Sequence, residues 1–117
     1  MVIVITNQSG VSRGYYSEKK VINLHEWMNK DLRNCNAEIN DFFYSTELPS
    51  KNKKTRRKPN PAMINEAIIK YSIDRKKSFM IGDKQSDVEA AQNAFIKGYL
   101  FEGGNLLHHI KRILKEF

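Results

Sequence analysis

Residues 81–87 read Ile-Gly-Asp-Lys-Gln-Ser-Asp, and the rest of the chain is organised around them. A short apolar run, Phe79–Ile81, leads into this segment, and a helical pattern, Val88–Ala91, follows it. This order is typical of a buried strand, a tight glycine turn and the start of a helix. Ser86 with Glu89 three residues later predicts a capping box, in which each side chain satisfies a backbone N–H of the first turn.

Two carboxylates, those of Asp83 and Asp87, are therefore expected together at the end of a parallel strand. Ligands bind at the carboxyl ends of strands in open α/β sheets, and Mg²⁺ prefers oxygen ligands. The segment accordingly predicts a Mg²⁺ site. A second interpretation stays open, in which Asp83 is a turn residue and Asp87 interacts favourably with the helix dipole.

The composition indicates one domain with a lean core. The chain has 117 residues, of which 40% are hydrophobic, and no apolar run approaches the length of a membrane span. The single cysteine, Cys35, excludes an internal disulfide and indicates a reducing compartment, the cytoplasm.

The positive charge of the chain is concentrated in one loop. The formal net charge is +7, and residues 51–58 hold six basic residues and no acid, which leaves 14 basic against 13 acidic residues elsewhere. We therefore expect a nearly neutral domain with one basic loop. This distribution argues against a general nucleic-acid function, although the basic cluster could contact phosphates.

Strand and helix patterns alternate along the chain. Strands are predicted at residues 2–5, 42–44, 78–81 and 98–101. Helices are predicted after caps at Ser17, Asn60, Ser86 and Asn105, the first with the apolar stripe Val21, Leu24, Met28 and Leu32, and the last burying Leu106, Leu107, Ile110, Ile113, Leu114 and Phe117. The alternation predicts an α/β fold, a Rossmann-like parallel sheet with flanking helices, whose strands end at one edge.

Polar groups at that edge suit a phosphoryl group. Thr6 and Asn7 offer a hydroxyl and an amide, Lys58 offers a cation, and Asp83 and Asp87 offer carboxylates. Phosphoryl transfer depends on positioning and on neutralising the charge of the phosphoryl oxygens. The combination therefore predicts a phosphate site.

Three segments resemble the haloacid dehalogenase (HAD) superfamily. They are Ile-Thr-Asn-Gln-Ser-Gly-Val with Arg-Gly at 5–14, Arg-Lys-Pro-Asn-Pro-Ala-Met at 57–63, and Ile-Gly-Asp-Lys-Gln-Ser-Asp with Ala-Ala at 81–91. More narrowly, they are similar to the histidinol-phosphatase and D,D-heptose 1,7-bisphosphate phosphatase branch, over nearly the whole chain. The resemblance implies a Mg²⁺-dependent phosphomonoesterase with an aspartyl-phosphate intermediate. Its substrate would be a small phosphoester such as a heptose bisphosphate or histidinol phosphate.

The resemblance also implies roles for residues that bind the substrate. Thr6 would hydrogen-bond the phosphoryl oxygens, and Asn7 would help to bind the substrate. Lys58 would neutralise the phosphate and the nucleophile. Arg57 would contact the substrate.

Further roles concern the metal. Asp83 would ligate Mg²⁺, and Lys84 would assist. Asp87 would belong to the metal site, by supporting the loop or an outer-sphere water. Asp83 and Asp87 alone make a weak site, because Mg²⁺ keeps several waters and usually relies on substrate phosphate as well.

One departure from the family concerns catalysis. The family begins with a strand that ends in Asp-x-Asp, the nucleophile and the general acid/base, and residues 1–117 contain no such motif. The family places that strand between those that end at Thr6 and Asp83. We therefore expect a single HAD-like core domain, 1–117, that lacks an N-terminal portion, as a truncated form, a partial gene model or a degenerate paralogue, and that shows no turnover alone.

Two alternatives to an incomplete enzyme remain open. The chain could be a non-catalytic phosphate-binding or scaffold module, or, less in keeping with its charge, it could bind nucleic acid through the basic loop. An isolated chain could also pair with a second copy as a homodimer, which would cover the sheet edges that the missing strand leaves exposed.

A second departure concerns zinc. Members of the branch often carry a Cys/His loop before the Arg-Lys-Pro motif, whereas residues 44–56 contain neither cysteine nor histidine. No zinc is expected, and the basic run takes the place of that loop. The expected partner is a small phosphorylated substrate, whose identity the changed loop leaves open.

Overall fold

The computed structural model describes all residues from 1 to 117 and contains alternating strands and helices. The elements are β1 (Ile3–Asn7), α1 (Glu18–Arg33), β2 (Asp41–Ser45), α2 (Ala62–Tyr71), β3 (Phe79–Gly82), α3 (Gln85–Asn93), β4 (Lys97–Leu100) and α4 (Leu106–Leu114), with a short 3₁₀ helix at Arg75–Lys77. The predicted α/β class is confirmed, and each predicted strand is present with small shifts at its ends. The chain divides into two compact units, Met1–Arg57 and Lys58–Phe117.

The first unit is built on the parallel pair β1–β2. Ile3 lies opposite Asp41 at the start of the ladder. Helix α1 buries Val21 and His25, and the His25 ring stacks on Phe42 with 4.1 Å between ring centroids. An imidazole therefore takes a core position that an apolar side chain usually fills.

The second unit is built on the parallel pair β3–β4. Phe79 lies opposite Lys97, and Gly98 faces α3 so closely that a Cβ there would lie 2.9 Å from the Cβ of Ala91. Small side chains thus let helix and sheet approach each other. The buried apolar residues of this unit are Met63, Ile64, Ala67, Ala90, Ala91, Ala94 and Ile113.

Two predicted helix faces are only partly buried. Leu24 of α1 is 50% exposed, and in α4 only Ile113 is buried, while Leu107 and Leu114 are 57% and 53% exposed. The expectation that these leucines point inward is wrong. Leu106 of α4 and Phe117 beyond it are likewise 47% and 48% exposed, so the apolar side chains that this helix buries fully or in part are those of Ile113 and Ile110. None of the helices is both long enough and apolar enough to cross a bilayer.

Candidate functional site

The end of β1 presents a threonine whose hydroxyl is oriented by neighbours. The Gln8 side-chain amide donates to Thr6 Oγ1 at 3.2 Å, and the Tyr16 hydroxyl donates to Gln8 Oε1 at 2.6 Å. The Thr6 hydroxyl itself makes only a long contact of 3.5 Å with the carbonyl of Asn7. Since Gln8 already occupies a lone pair of Thr6 Oγ1, the hydroxyl proton can be donated to a ligand oxygen.

The loop after β1 is held by backbone and side-chain bonds within the first unit. The Gln8 N–H donates to the Ser45 carbonyl at 2.7 Å, which joins the loop to the end of β2. Gly10 is buried, and a Cβ there would overlap the Tyr16 ring. A glycine at this position is therefore what allows Tyr16 to reach Gln8. Asn7, the last residue of β1, lies opposite Ser45.

Arg57 lies at the end of the first unit and is partly buried. Its N–H donates to Thr55 Oγ1 at 3.1 Å, and its Nη1 donates to the Glu47 carbonyl at 3.3 Å. The tip of the same loop is exposed and carries Lys51, Lys53 and Lys54. The basic run thus consists of an exposed tip and a hydrogen-bonded base.

The second unit contains a nearly buried ion pair. Lys58 Nζ lies 2.5 Å from Asp87 Oδ1, and the two side chains are only 10% and 6% exposed. The other carboxylate oxygen, Oδ2, accepts the Lys84 N–H at 3.1 Å. Asp87 therefore neutralises Lys58 and also caps the first turn of α3.

This arrangement corrects the capping box predicted from the sequence. Helix α3 begins at Gln85, so Lys84 is its N-cap and Asp87 occupies the third helical position. The carboxylate that reaches back to the cap N–H is that of Asp87, not that of Glu89, and Ser86 lies inside the helix. The helix starts two residues earlier than the Ser86 cap required.

Asp83 differs from Asp87 in its surroundings. It follows β3 directly and is exposed, as is Lys84, and its carboxylate makes no hydrogen bond or ion pair with the chain. Gly82 precedes it, and a Cβ on Gly82 would overlap the Asp87 carboxylate. The glycine therefore allows Asp87 to pack against the strand end while Asp83 faces solvent.

The carboxylate of Asp83 fits a Mg²⁺ site in which the protein supplies few of the ligands. No cluster of three or more His, Cys, Asp or Glu side chains suited to a metal occurs in the chain. Mg²⁺ is commonly bound through one or two carboxylates, with waters and substrate phosphate completing its octahedron. Asp83 offers such a carboxylate, whereas both oxygens of Asp87 already accept bonds from the protein.

The residues predicted from the sequence fall into both units. Thr6, Asn7 and Arg57 belong to the first, and Lys58, Asp83, Lys84 and Asp87 belong to the second, where Lys58, Lys84 and Asp87 are in direct contact. Sequence reasoning missed Gln8, Tyr16 and Glu47 as supporting residues. Only Gln8 had a usable signal, because residues two apart in an extended segment lie on the same face.

A comparison with protein families matches residues 55–111 to the HAD-hydrolase-like family. The chain is 40% identical to a D-glycero-beta-D-manno-heptose-1,7-bisphosphate 7-phosphatase of Rhodopseudomonas palustris, over 98% of this chain and 67% of that protein. It is 44% identical to a D-glycero-alpha-D-manno-heptose-1,7-bisphosphate 7-phosphatase of Photorhabdus laumondii, over 81% of this chain and 55% of that protein. The chain thus spans between half and just over two thirds of the length of these relatives.

Solved structures of phosphatases are also similar to this chain. A D,D-heptose 1,7-bisphosphate phosphatase from B. bronchiseptica, in complex with magnesium and phosphate, superposes with a TM-score of 0.81 at 26% identity. The match covers 96% of this chain and 62% of that one. A HAD-like phosphatase from Mesorhizobium loti superposes with a TM-score of 0.75 at 28% identity, over 88% of this chain and 53% of that one.

Proposed function

Since this chain belongs to the HAD-like hydrolase family, we propose that it is part of a Mg²⁺-dependent phosphatase that acts on a heptose 1,7-bisphosphate. The observation that carries the proposal is the nearly buried Lys58–Asp87 pair in the unit where Asp83 directly follows β3. A lysine ammonium is a mobile point charge unless a partner fixes it. Here a carboxylate fixes it beside the strand end where ligands bind in α/β folds.

The proposed roles follow from the contacts of each residue. Thr6 donates its hydroxyl proton to a phosphoryl oxygen, because Gln8 already donates to its oxygen. Lys58 neutralises phosphate charge, and Asp87 holds the ammonium in place rather than ligating the metal directly. Asn7 and Arg57 bind the substrate.

The proposed metal site depends on Asp83, assisted by Lys84. When bound, Mg²⁺ would supply positive charge that offsets the charge developing on the phosphoryl oxygens. Asp83 carries the negative charge that attracts the ion, and its exposure leaves room for waters and a phosphate oxygen. The magnesium and phosphate in the B. bronchiseptica structure support this assignment.

Residues 1–117 do not supply the nucleophile that the proposed reaction needs. Residues 1–117 contain no Asp-x-Asp, and we propose that they form one HAD-like core domain that needs a strand with this motif for turnover. The cytoplasm is proposed as the compartment because the single cysteine, Cys35, is exposed and has no partner for a disulfide within the chain.

The test is phosphate release from D-glycero-D-manno-heptose 1,7-bisphosphate, followed by ³¹P NMR. The 117-residue chain alone is expected to release none. The same chain, fused at its N-terminus to a strand that ends in Asp-x-Asp, is expected to turn over and to lose activity when EDTA removes Mg²⁺.

Each other outcome contradicts a defined part of the proposal. Turnover by the chain alone would contradict the external nucleophile. Cleavage of histidinol phosphate but not of the heptose bisphosphate by the fused chain would contradict the substrate. A fused chain that binds phosphate without any turnover would favour the non-catalytic phosphate-binding module.

A further inference from the structure

Glu47 closes the loop between β2 and α2. It lies two residues after β2, and its carboxylate accepts hydrogen bonds from the Thr55 hydroxyl and from the Arg56 N–H, the latter at 2.7 Å. The Ser45 hydroxyl makes a longer contact with the same oxygen at 3.5 Å. One carboxylate oxygen thus joins the two ends of a loop whose tip, residues 48–54, is exposed.

The hydrogen bonds among Glu47, Thr55 and Arg56, which we call the loop joint, also hold Arg57. Thr55, which donates to Glu47, accepts the Arg57 N–H through its own hydroxyl oxygen at 3.1 Å. The Glu47 carbonyl accepts Arg57 Nη1 at 3.3 Å, and Arg56 Nη1 donates to the Tyr44 carbonyl at 2.7 Å. Backbone and guanidinium of Arg57 are therefore both tied to Glu47, directly or through one residue.

We propose that Glu47 is a positioning residue, whose carboxylate closes this loop so that the Arg57 guanidinium is held ready for an anionic substrate. One part of this proposal, that Arg57 binds a phosphorylated substrate, rests on the proposed function. The other part, that Glu47 orders Arg57, is independent of it. The proposal also accounts for the basic run. Its base, Arg56 and Arg57, is engaged in the joint, and only its lysine tip faces solvent.

Because the Glu47 carboxylate accepts the hydrogen bonds of the loop joint in its charged form, its protonation should weaken them. Hydrogen bonds from Thr55 and then from Arg56 lower the pKa of Glu47 below the ordinary value of a glutamate. No charged side chain is bonded to this carboxylate, since the guanidinium groups of Arg56 and Arg57 donate instead to the backbone carbonyls of Tyr44 and Glu47. The joint is therefore closed at neutral pH, and it opens only when the pH falls through the lowered pKa of Glu47.

The experiment is amide hydrogen exchange and side-chain NMR on the 117-residue chain. Glu47→Gln removes the charge, Glu47→Ala removes the acceptor, and Glu38→Gln is the matched control, because Glu38 is another exposed glutamate of the same unit, paired only with Arg33 at 3.6 Å. At neutral pH we expect protection of the Arg56 and Arg57 amides to fall by about tenfold in Glu47→Ala, and less in Glu47→Gln. The control should match the wild type.

Two further readouts separate positioning from general stability. In the wild type, the Arg57 side-chain signals should shift on acidification with the midpoint of the Glu47 carboxyl, and this transition should vanish in both Glu47 variants. Inorganic phosphate should shift the Arg57 signals of the wild type and of Glu38→Gln at lower concentrations than those of Glu47→Ala.

The outcomes are distinct. Unchanged protection and an unchanged acid transition in the Glu47 variants would overturn the proposal. If phosphate shifts Arg57 in no variant while protection is lost in Glu47→Ala, the ordering role of Glu47 stands and the substrate role of Arg57 fails. If phosphate affinity is equal in all variants although Arg57 loses its order, positioning for the substrate is refuted.

Discussion

The loops after β1 and after β3 both contain predicted site residues, but they are stabilised in two different ways. After β1, ten residues, 8–17, precede α1, and several hydrogen bonds hold them, most of them between neutral groups. After β3, only Asp83 and Lys84 precede α3, and one nearly buried ion pair holds the junction. The longer loop distributes its stabilisation over several groups, whereas the shorter one concentrates it in Lys58 and Asp87.

The difference predicts how each region tolerates substitution. A neutral hydrogen bond contributes about 0.5–1.5 kcal/mol, so the loss of one bond after β1 should have a limited effect. Removing one partner of a buried ion pair costs about 3–5 kcal/mol, because the other charge stays buried and unpaired. The junction after β3 should therefore depend far more on single residues.

The largest effect is expected for Asp87→Ala. The substitution leaves the Lys58 ammonium without its carboxylate and the Lys84 N–H without its acceptor, so the free energy of unfolding should fall by about 3–5 kcal/mol in urea denaturation. Ser86→Ala is the control, since Ser86 is not the cap, and it should change stability by less than about 0.5 kcal/mol. A loss below about 1 kcal/mol for Asp87→Ala would show that the two junctions are alike.

The next effect is expected for Gly82→Ala. A Cβ at this position would overlap the Asp87 carboxylate, and overpacking of this kind costs about 1–3 kcal/mol. The reason can be isolated with a double-mutant cycle. A Cβ on Gly82 would also overlap the Asp87 Cβ, so the background must be Asp87→Gly, in which the new methyl group meets neither the Cβ nor the carboxylate and should cost much less. Additive effects of the two substitutions would refute the overlap as the cause.

A smaller effect is expected for Tyr16→Phe in the loop after β1. The substitution removes the 2.6 Å bond to Gln8, and the free energy of unfolding should decrease by about 0.5–1.5 kcal/mol. Tyr15→Phe is the matched control, because Tyr15 is 75% exposed, and it should be neutral. A destabilisation by Tyr16→Phe as large as that of Asp87→Ala would contradict the distributed stabilisation of this loop.

The smallest effect concerns the pH dependence of the first unit. Burial lowers the pKa of His25, so the unfolded chain binds a proton more readily than the folded chain as the pH falls through the ordinary histidine range. Stability should therefore be complete above that range and decrease below it. His25→Phe should remove this dependence, which denaturation at a series of pH values measures, whereas the exposed His108→Gln should retain it.

Local sequence signals predicted the elements and several caps correctly. Ser17 accepts the Lys20 N–H at the start of α1, and Asn105 accepts the His108 N–H at the start of α4, as their positions before apolar helical patterns indicated. The strands were found because continuous β-branched or aromatic runs end in polar residues. Thr6 and Asp83 were located at strand ends for the same reason.

Contacts between distant residues were not predictable in this way. Lys58 and Asp87 are 29 positions apart. The sequence placed both at one edge of the sheet, but it did not signal that the carboxylate pairs directly with the ammonium. The pairing also explains why the Ser86 cap was wrong, because it places Asp87 where it can reach the Lys84 N–H. Likewise, Glu47 reads as a loop residue until its bonds to Thr55 and Arg56 are seen.

The most direct test of the central claim, that the chain is part of a Mg²⁺-dependent phosphatase, is kcat/KM for Mg²⁺-dependent phosphate release by the fused chain that carries the Asp-x-Asp strand. Thr6→Val and Asp83→Asn take one group from each strand end without touching the buried ion pair, and each should reduce kcat/KM by about 100-fold or more. Glu38→Gln should leave it unchanged. Retention of wild-type kcat/KM by either the Thr6 or the Asp83 variant would contradict the account.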